Sequence, residues 1–192
     1  MRLYILRHEQ RPIDCSFFVP LSYTGLKNAV SLSIILEKHN INFIISSPFI
    51  RTLQTIHPYA KTKNIPINVE YALSEIHHPD IIAKNAVGTI LPEYIAKHFN
   101  CNNKYKSILK YNNIQYPEDL TLLANRVIPF FQYIFKLYYH TNKNIVLVTH
   151  QSICQTILKC INVNANDLLA SYPKGKLCLI FDNKKWCCTE IN

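Results

Sequence analysis

The stretch Leu3-Tyr4-Ile5-Leu6-Arg7-His8-Glu9-Gln10-Arg11 decides how the chain is read. Four consecutive apolar residues describe a short strand buried on both faces. It runs straight into two arginines that flank a histidine. In a parallel sheet the carboxyl ends of the strands share one edge, and that edge is where such folds bind ligands. A strand that ends in Arg7-His8 therefore asks whether other strands end in the same kind of chemistry.

Working outward, further strand-like segments fall at Asn42 to Ile45, Ile67 to Val69, Asn144 to Val148 and Leu177 to Phe181. Their β-branched, non-alternating composition suits a parallel sheet covered by helices. Helical patterns lie between them, at Thr24 to His39, Phe49 to Lys63, Pro117 to Tyr139 and Ser152 to Ile161. Ser22 and Thr24 are candidate caps for the first helix. Pro117 reads as a first-turn residue of the long helix, with Glu118 and Asp119 beside the positive end of its dipole. Its Phe130, Phe131, Ile134 and Phe135 read as core. The expected class is α/β, with a mostly parallel sheet between two layers of helices. One domain accounts for all 192 residues, with a less periodic insertion of short helices and loops at about 76–116 that is expected to cap the substrate site.

Four polar clusters end these strands: Arg7-His8, Ser46-Ser47-Pro48 with Arg51, Glu75, and Thr149-His150. Converging on one edge, they sum to two arginines, two histidines and one carboxylic acid. That set suits metal-independent phosphoryl transfer. Arg7 and Arg51 match phosphate oxygens and keep their charge at working pH. A neutral His8 is placed to attack phosphorus, His150 to donate to the equatorial oxygens, and Glu75 to protonate the leaving oxygen and then deprotonate water. Arg11 is expected either to touch substrate or to pair with Asp14. Gln151 is expected to offer its backbone N–H to phosphate from a helix start. Ser46 and Ser47 read as caps of the helix that carries Arg51.

LRHEQR with PLSYTG, SSPFIRTLQT, the Leu-x-Glu of LSE, and VLVTHQS together resemble the histidine phosphatase superfamily, in that family's order from Leu3 to about Ile157. The resemblance implies a phosphoglycerate-mutase-like three-layer α/β/α sandwich. It also implies a phosphorylated nucleophile at His8, a phosphate pocket of Arg7, Arg51 and His150, and a proton donor at Glu75. His150 is followed by Gln151 rather than aspartate, unlike the acid phosphatase and phytase branch. Ile76-His77-His78-Pro79-Asp80 lacks the longer, glycine-containing motif of the mutases. Arg11 and VLVTHQSICQTI are similar to the catalytic domain of the phosphotyrosine phosphatases that carry ubiquitin-associated and SH3 domains. The implied activity is a phosphomonoesterase acting on a phosphorylated small molecule or phosphoprotein; an idle phosphate-binding interaction module and a mutase are the alternatives. Glu9 stands where most of the family has glycine; a carboxylate there repels phosphate unless it turns away or pairs with a cation such as Arg11, and it is expected to turn away.

Lys and Arg (21) outnumber Asp and Glu (12), giving a formal net charge of +9 that suits an anionic partner. The lysines are scattered, and the abundance of Asn, Ile, Lys and Tyr has a compositional explanation, so nucleic acid is not the expected partner. Seven cysteines without a C-x-x-C pair indicate neither a disulfide framework nor a cysteine zinc site, and suit a reducing, cytoplasmic compartment. No apolar run approaches the roughly 20 residues of a membrane span. No cofactor is expected. His77 and His78 are adjacent and lack a third ligand at metal spacing, so no metal is expected there. His39, His57, His98 and His140 read as structural or exposed. Tyr105, Tyr111 and Tyr116 read either as walls of an aromatic-phosphoester pocket or as core and surface tyrosines.

Overall fold

A computed structural model of the chain describes residues 1–87 and 90–191. Positions 88 and 89 of the expected insertion, and position 192, lie outside the described residues. Six strands, β1 (Arg2–Arg7), β2 (Phe43–Ser46), β3 (Ile67–Val69), β4 (Asn144–Thr149), β5 (Leu177–Asp182) and β6 (Lys185–Glu190), form one sheet in the order β3-β2-β4-β1-β5-β6. The first four are parallel to one another, whereas β5 runs antiparallel to β1 and β6 antiparallel to β5. The mostly parallel sheet expected from the sequence is present, with one strand more than the five expected. β6 is an edge strand with no fully buried residue. Its polar composition, Lys-Trp-Cys-Cys-Thr-Glu, hides it from any search for buried apolar runs.

The helices are α1 (Tyr23–Lys38), α2 (Ile50–Lys63), α3 (Glu93–His98), α4 (Leu120–Tyr138), α5 (Gln151–Ile161) and α6 (Asn166–Ala170). Alternate residues of each central strand point to opposite faces. Leu3 and Ile5 of β1, with Ile145 and Leu147 of β4, pack against Val127 and Phe130 of α4 and Ile153 and Ile157 of α5. Tyr4 and Leu6, with Val146 and Val148, pack against Leu32 and Leu36 of α1 and Leu53 and Ile56 of α2. Two cores thus lie on either side of one sheet, the three-layer α/β/α arrangement.

The long helix starts later than expected. Asp119 is its N-cap, accepting from the Leu122 backbone N–H at 2.8 Å, which leaves Pro117 and Glu118 outside the helix. The first helix is capped by Ser22, whose Oγ accepts from Gly25 N at 3.1 Å. The region 76–116 does not stand off the domain. Its Ile82, Leu91 and Phe99 are buried in the core on the α1/α2 side, and Asn100 to Asn102 run beside the outer strand β3, with Ile67 N–H donating to Asn100 O (3.1 Å) and Asn102 N–H to Ile67 O (2.8 Å).

Candidate active site

The parallel strands deliver the polar clusters to one edge. Arg7 ends β1 opposite Thr149 of β4, and His8 N–H donates to Thr149 O at 2.9 Å. Ser47 N–H donates to Val148 O at 2.9 Å, so the chain after β2 follows the same edge. His150 is the N-cap residue of α5, and Arg51 is the second residue of α2. Neither helix receives a side-chain cap at its N-terminus, so both positive helix ends remain at this edge beside two guanidinium groups. Glu75 arrives from the loop after β3. His8, Glu75, Arg51 and His150 are buried, with His150 and Arg51 wholly so.

The side-chain geometry defines a small pocket. Glu75 Oε2 stands 3.5 Å from Arg51 Nη2 and 3.4 Å from His150 Nδ1. The His8 and His150 rings meet edge to face with centroids 5.2 Å apart. Arg51 Nη1 donates to the carbonyls of Cys15 (3.1 Å) and Ser16 (2.9 Å), while its guanidinium lies over the Phe49 ring at 4.5 Å. Arg7 Nη1 donates to the Tyr172 carbonyl. Among the described residues seven buried side-chain nitrogens lack a hydrogen-bond partner, and four of them are Arg7 Nε, Arg51 Nε and Nη2, and His150 Nδ1. A buried donor without a partner costs about 1–3 kcal/mol, so their concentration here marks a place built to receive acceptors.

Hydrogen bonding also assigns the histidine tautomers. His8 Nδ1 lies 2.7 Å from the Glu9 carbonyl, which only accepts, so Nδ1 carries the proton and Nε2 the lone pair. Burial, then the Arg51 charge, holds the His8 pKa well below its ordinary value, opposed only by the bond to Glu9 O. The ring is therefore neutral and nucleophilic at Nε2. His150 Nε2 lies 2.9 Å from Ser47 Oγ, and Ser47 Oγ itself accepts from Phe49 N–H at 3.4 Å. Nδ1 faces the accepting carboxylate oxygen Glu75 Oε2 at 3.4 Å, which places the ring proton on Nδ1 and leaves Nε2 to accept from the Ser47 hydroxyl. Burial and Arg51 keep this imidazole neutral too. Arg51, lowered to about 10 by burial against the raising effect of Glu75, stays charged at neutral pH.

The sequence pattern makes Ser47 a helix cap; in the structure Phe49 holds that place, without a side-chain cap bond, and Ser47 instead orients His150. The only sequence signal for that role is the short distance between Ser47 and the strand end. Arg11 spends Nη1 on the carbonyls of Pro12 (2.6 Å), Ile13 (2.7 Å) and Asp14 (3.1 Å), and Nη2 on Cys15 Sγ (2.6 Å). It organises its own loop, and its charge is still felt at His8 and His150. Gln151 opens α5, half-buried. Glu9 does not pair with Arg11. Its carboxylate accepts from Asn28 Nδ2 at 3.2 Å, and its backbone N–H donates to Thr55 Oγ1 at 3.0 Å. The carboxylate fits because position 175 is glycine: a Cβ there, at φ +70°, would lie 2.2 Å from Glu9 Oε1.

The tyrosines of the insertion lie elsewhere. Tyr105 O–H donates to Glu70 Oε2 at 2.9 Å, Tyr116 O–H to Ile82 O at 3.3 Å, and Tyr111 packs on Tyr71. Tyr71, Leu91, Cys101, Tyr105 and Lys106 line a cavity of about 500 Å³ that includes none of the five pocket residues.

Residues 7–181 match the histidine phosphatase superfamily (branch 1). No curated protein matches the chain. Among solved structures, the ecdysone phosphate phosphatase from Bombix mori in complex with tungstate is similar at 13% identity and a TM-score of 0.71, covering 98% of this chain and 91% of that one. The complex of mycobacterial glucosyl-3-phosphoglycerate phosphatase with inorganic phosphate matches at 16% identity and 0.67, over 97% and 94% of the two chains. An Escherichia coli protein described as a putative alpha-ribazole-5'-P phosphatase matches at 19% identity and 0.68, over 100% and 96%. At these identities the structures speak to the fold, and the family match spans nearly the whole length, so the chain belongs to the histidine phosphatase superfamily.

Proposed function

We propose that the protein is a phosphomonoesterase that works through a phosphohistidine. The observation that carries this reading is the neutral His8 Nε2 facing the partnerless buried donors of Arg7, Arg51 and His150, with the Glu75 carboxylate beside them. Arg7, Arg51 and His150 Nδ1–H hold the three non-bridging oxygens. His8 Nε2 attacks phosphorus, the ester P–O bond breaks, and protonated Glu75 gives its proton to the departing oxygen. Water then attacks the phosphohistidine, Glu75 takes its proton, the P–N bond breaks and phosphate leaves. The substrate is a phosphorylated small molecule or a phosphoprotein. No helix among the described residues is long and apolar enough to cross a membrane. All seven cysteines are free, which favours a reducing, cytoplasmic setting.

One atom of each of His8, Glu75 and His150 lies within 4.8 Å of the others, a spacing that also suits a cation. The guanidinium of Arg51 beside Glu75 opposes that use. Hydrolysis of p-nitrophenyl phosphate in excess chelator decides between them: the proposal expects full activity, acid-labile but alkali-stable ³²P labelling of the protein by the ³²P-labelled ester, and loss of both in His8→Ala. Activity that vanishes with chelator, or that persists in His8→Ala, overturns it.

A further inference from the structure

Glu75 sits six residues beyond the end of β3, on a loop that no strand pairing holds. Yet the loop is fixed at several points by one side chain from the helix packed against it on the same side of the sheet. Arg126, on α4, is nearly buried. Its Nη1 donates to Ala72 O at 2.7 Å, and its Nη2 to Ser74 O at 3.0 Å and Glu75 O at 3.1 Å. The rest of the guanidinium is held by Glu118, through Nε to Oε1 at 2.6 Å and Nη2 to Oε2 at 2.9 Å. Glu118 Oε2 in turn accepts from His77 N–H at 3.1 Å, and Glu118 N–H donates to His77 O at 2.8 Å. The backbone is thereby gripped on both sides of Glu75. Thr149 Oγ1 adds a bond to Leu73 O at 2.7 Å, tying the same loop to the end of the strand that leads into His150.

A buried ion pair is a poor way to gain stability, because desolvating both charges offsets most of their attraction. In this one all three guanidinium nitrogens donate, and what they hold is the backbone around the proton donor. We propose that the Arg126–Glu118 pair is a positioning device for Glu75, setting how well the enzyme handles esters whose leaving oxygen needs a proton. The proposal rests on the phosphatase reading of the pocket. Neither residue reaches the pocket itself. Arg7, Arg51, His8 and His150 each keep hydrogen bonds outside this loop even if their neighbour Glu75 shifts, so phosphate binding and nucleophilic attack are expected to survive its loss.

The test is leaving-group dependence. p-Nitrophenolate departs readily as an anion, whereas an alkoxide does not, so a misplaced acid is exposed by alkyl phosphates first. In Arg126→Lys, which keeps the charge and loses the fork, kcat/KM, which covers only the steps through cleavage of the ester bond and not the later hydrolysis of the phosphohistidine, is expected to fall at least about tenfold further on a simple alkyl phosphate than on p-nitrophenyl phosphate. Inhibition by inorganic phosphate should stay within about threefold of wild type. Glu118→Gln, nearly isosteric and still able to accept from Arg126, should show the same pattern more weakly, and serves as the decisive variant if Arg126→Lys does not fold. Equal losses on both substrates, or no loss on either, in a folded variant overturn the positioning role. Absence of His8-dependent hydrolysis in the wild type overturns the phosphatase reading itself, and the positioning role with it.

Discussion

His150 can serve the pocket only if its proton is on Nδ1, and the Ser47 hydroxyl, donating to Nε2, supports that tautomer from the other side of the ring. Ser47 Oγ bonds Nε2 at 2.9 Å, and the Phe49 amide takes up one of its lone pairs. Ser47→Ala removes the constraint and lets the ring turn its proton inward toward the core. A lost hydrogen bond of about 1 kcal/mol corresponds to roughly a fivefold fall in kcat/KM for p-nitrophenyl phosphate. An unchanged kcat/KM would show that the tautomer is set by something else. Glu75→Gln asks a different question at the same scale. It keeps the shape and removes the proton, so turnover of alkyl phosphates should fall by about 10²- to 10⁴-fold while inorganic phosphate still binds. Loss of phosphate binding in step with turnover would instead make Glu75 a determinant of pocket structure.

The start of α1 is welded to the loop that carries His8. Ser22 N–H and Oγ both donate to Gln10 O, at 2.9 and 3.2 Å, and Gly25 packs so closely that a Cβ would stand 2.0 Å from the same oxygen. Helix propensity alone makes Gly25→Ala stabilising by up to about 1 kcal/mol. A fixed backbone carbonyl in the way makes it destabilising by about 1–3 kcal/mol. The sign of the shift in the urea midpoint decides, and the expected sign is destabilising, with lower kcat/KM because Gln10 lies two residues from His8. At this scale the sequence was informative where an element is long and evenly apolar. β1, β2, β4, α1 and α5 are legible because burial on both faces or one stripe leaves a pattern. α3 and α6, of six and five residues, are too short to show one. The antiparallel direction of β5 is a property of the connection, not of Leu-Cys-Leu-Ile-Phe-Asp. Arg126 does not stand out in the sequence because a lone arginine on a helix has the pattern of a solvated charge. Its signal was the neighbourhood: Leu123, Val127 and Phe130 are all buried on that helix, and Glu118 precedes it in a segment that failed to become the first turn.

For the molecule as a whole, the pocket concentrates groups that the unfolded chain would ionise differently. His8 and His150 are held neutral by burial and by Arg51, and His77 is lowered to about 4, first by burial and then by Arg126. In the unfolded chain each takes a proton near pH 6.5. Between that pH and the lower folded value, the unfolded state binds more protons, so stability falls as pH falls; above about 6.5 the contribution is complete. Each such histidine adds a slope of about 1.4 kcal/mol per pH unit, and for His77 the loss reaches about 3 kcal/mol by pH 4. Urea unfolding at intervals from pH 7.5 to 4.5 should therefore show stability level above pH 7 and falling steeply below 6.5. His77→Gln should reduce that slope by about one proton while leaving the plateau slope near zero. A profile flat down to pH 5 would mean that these histidines take up their protons at the same pH in the folded protein as in the unfolded chain. In that case His8 Nε2 would become protonated below about pH 6.5, and the attack on phosphorus would lose its lone pair there.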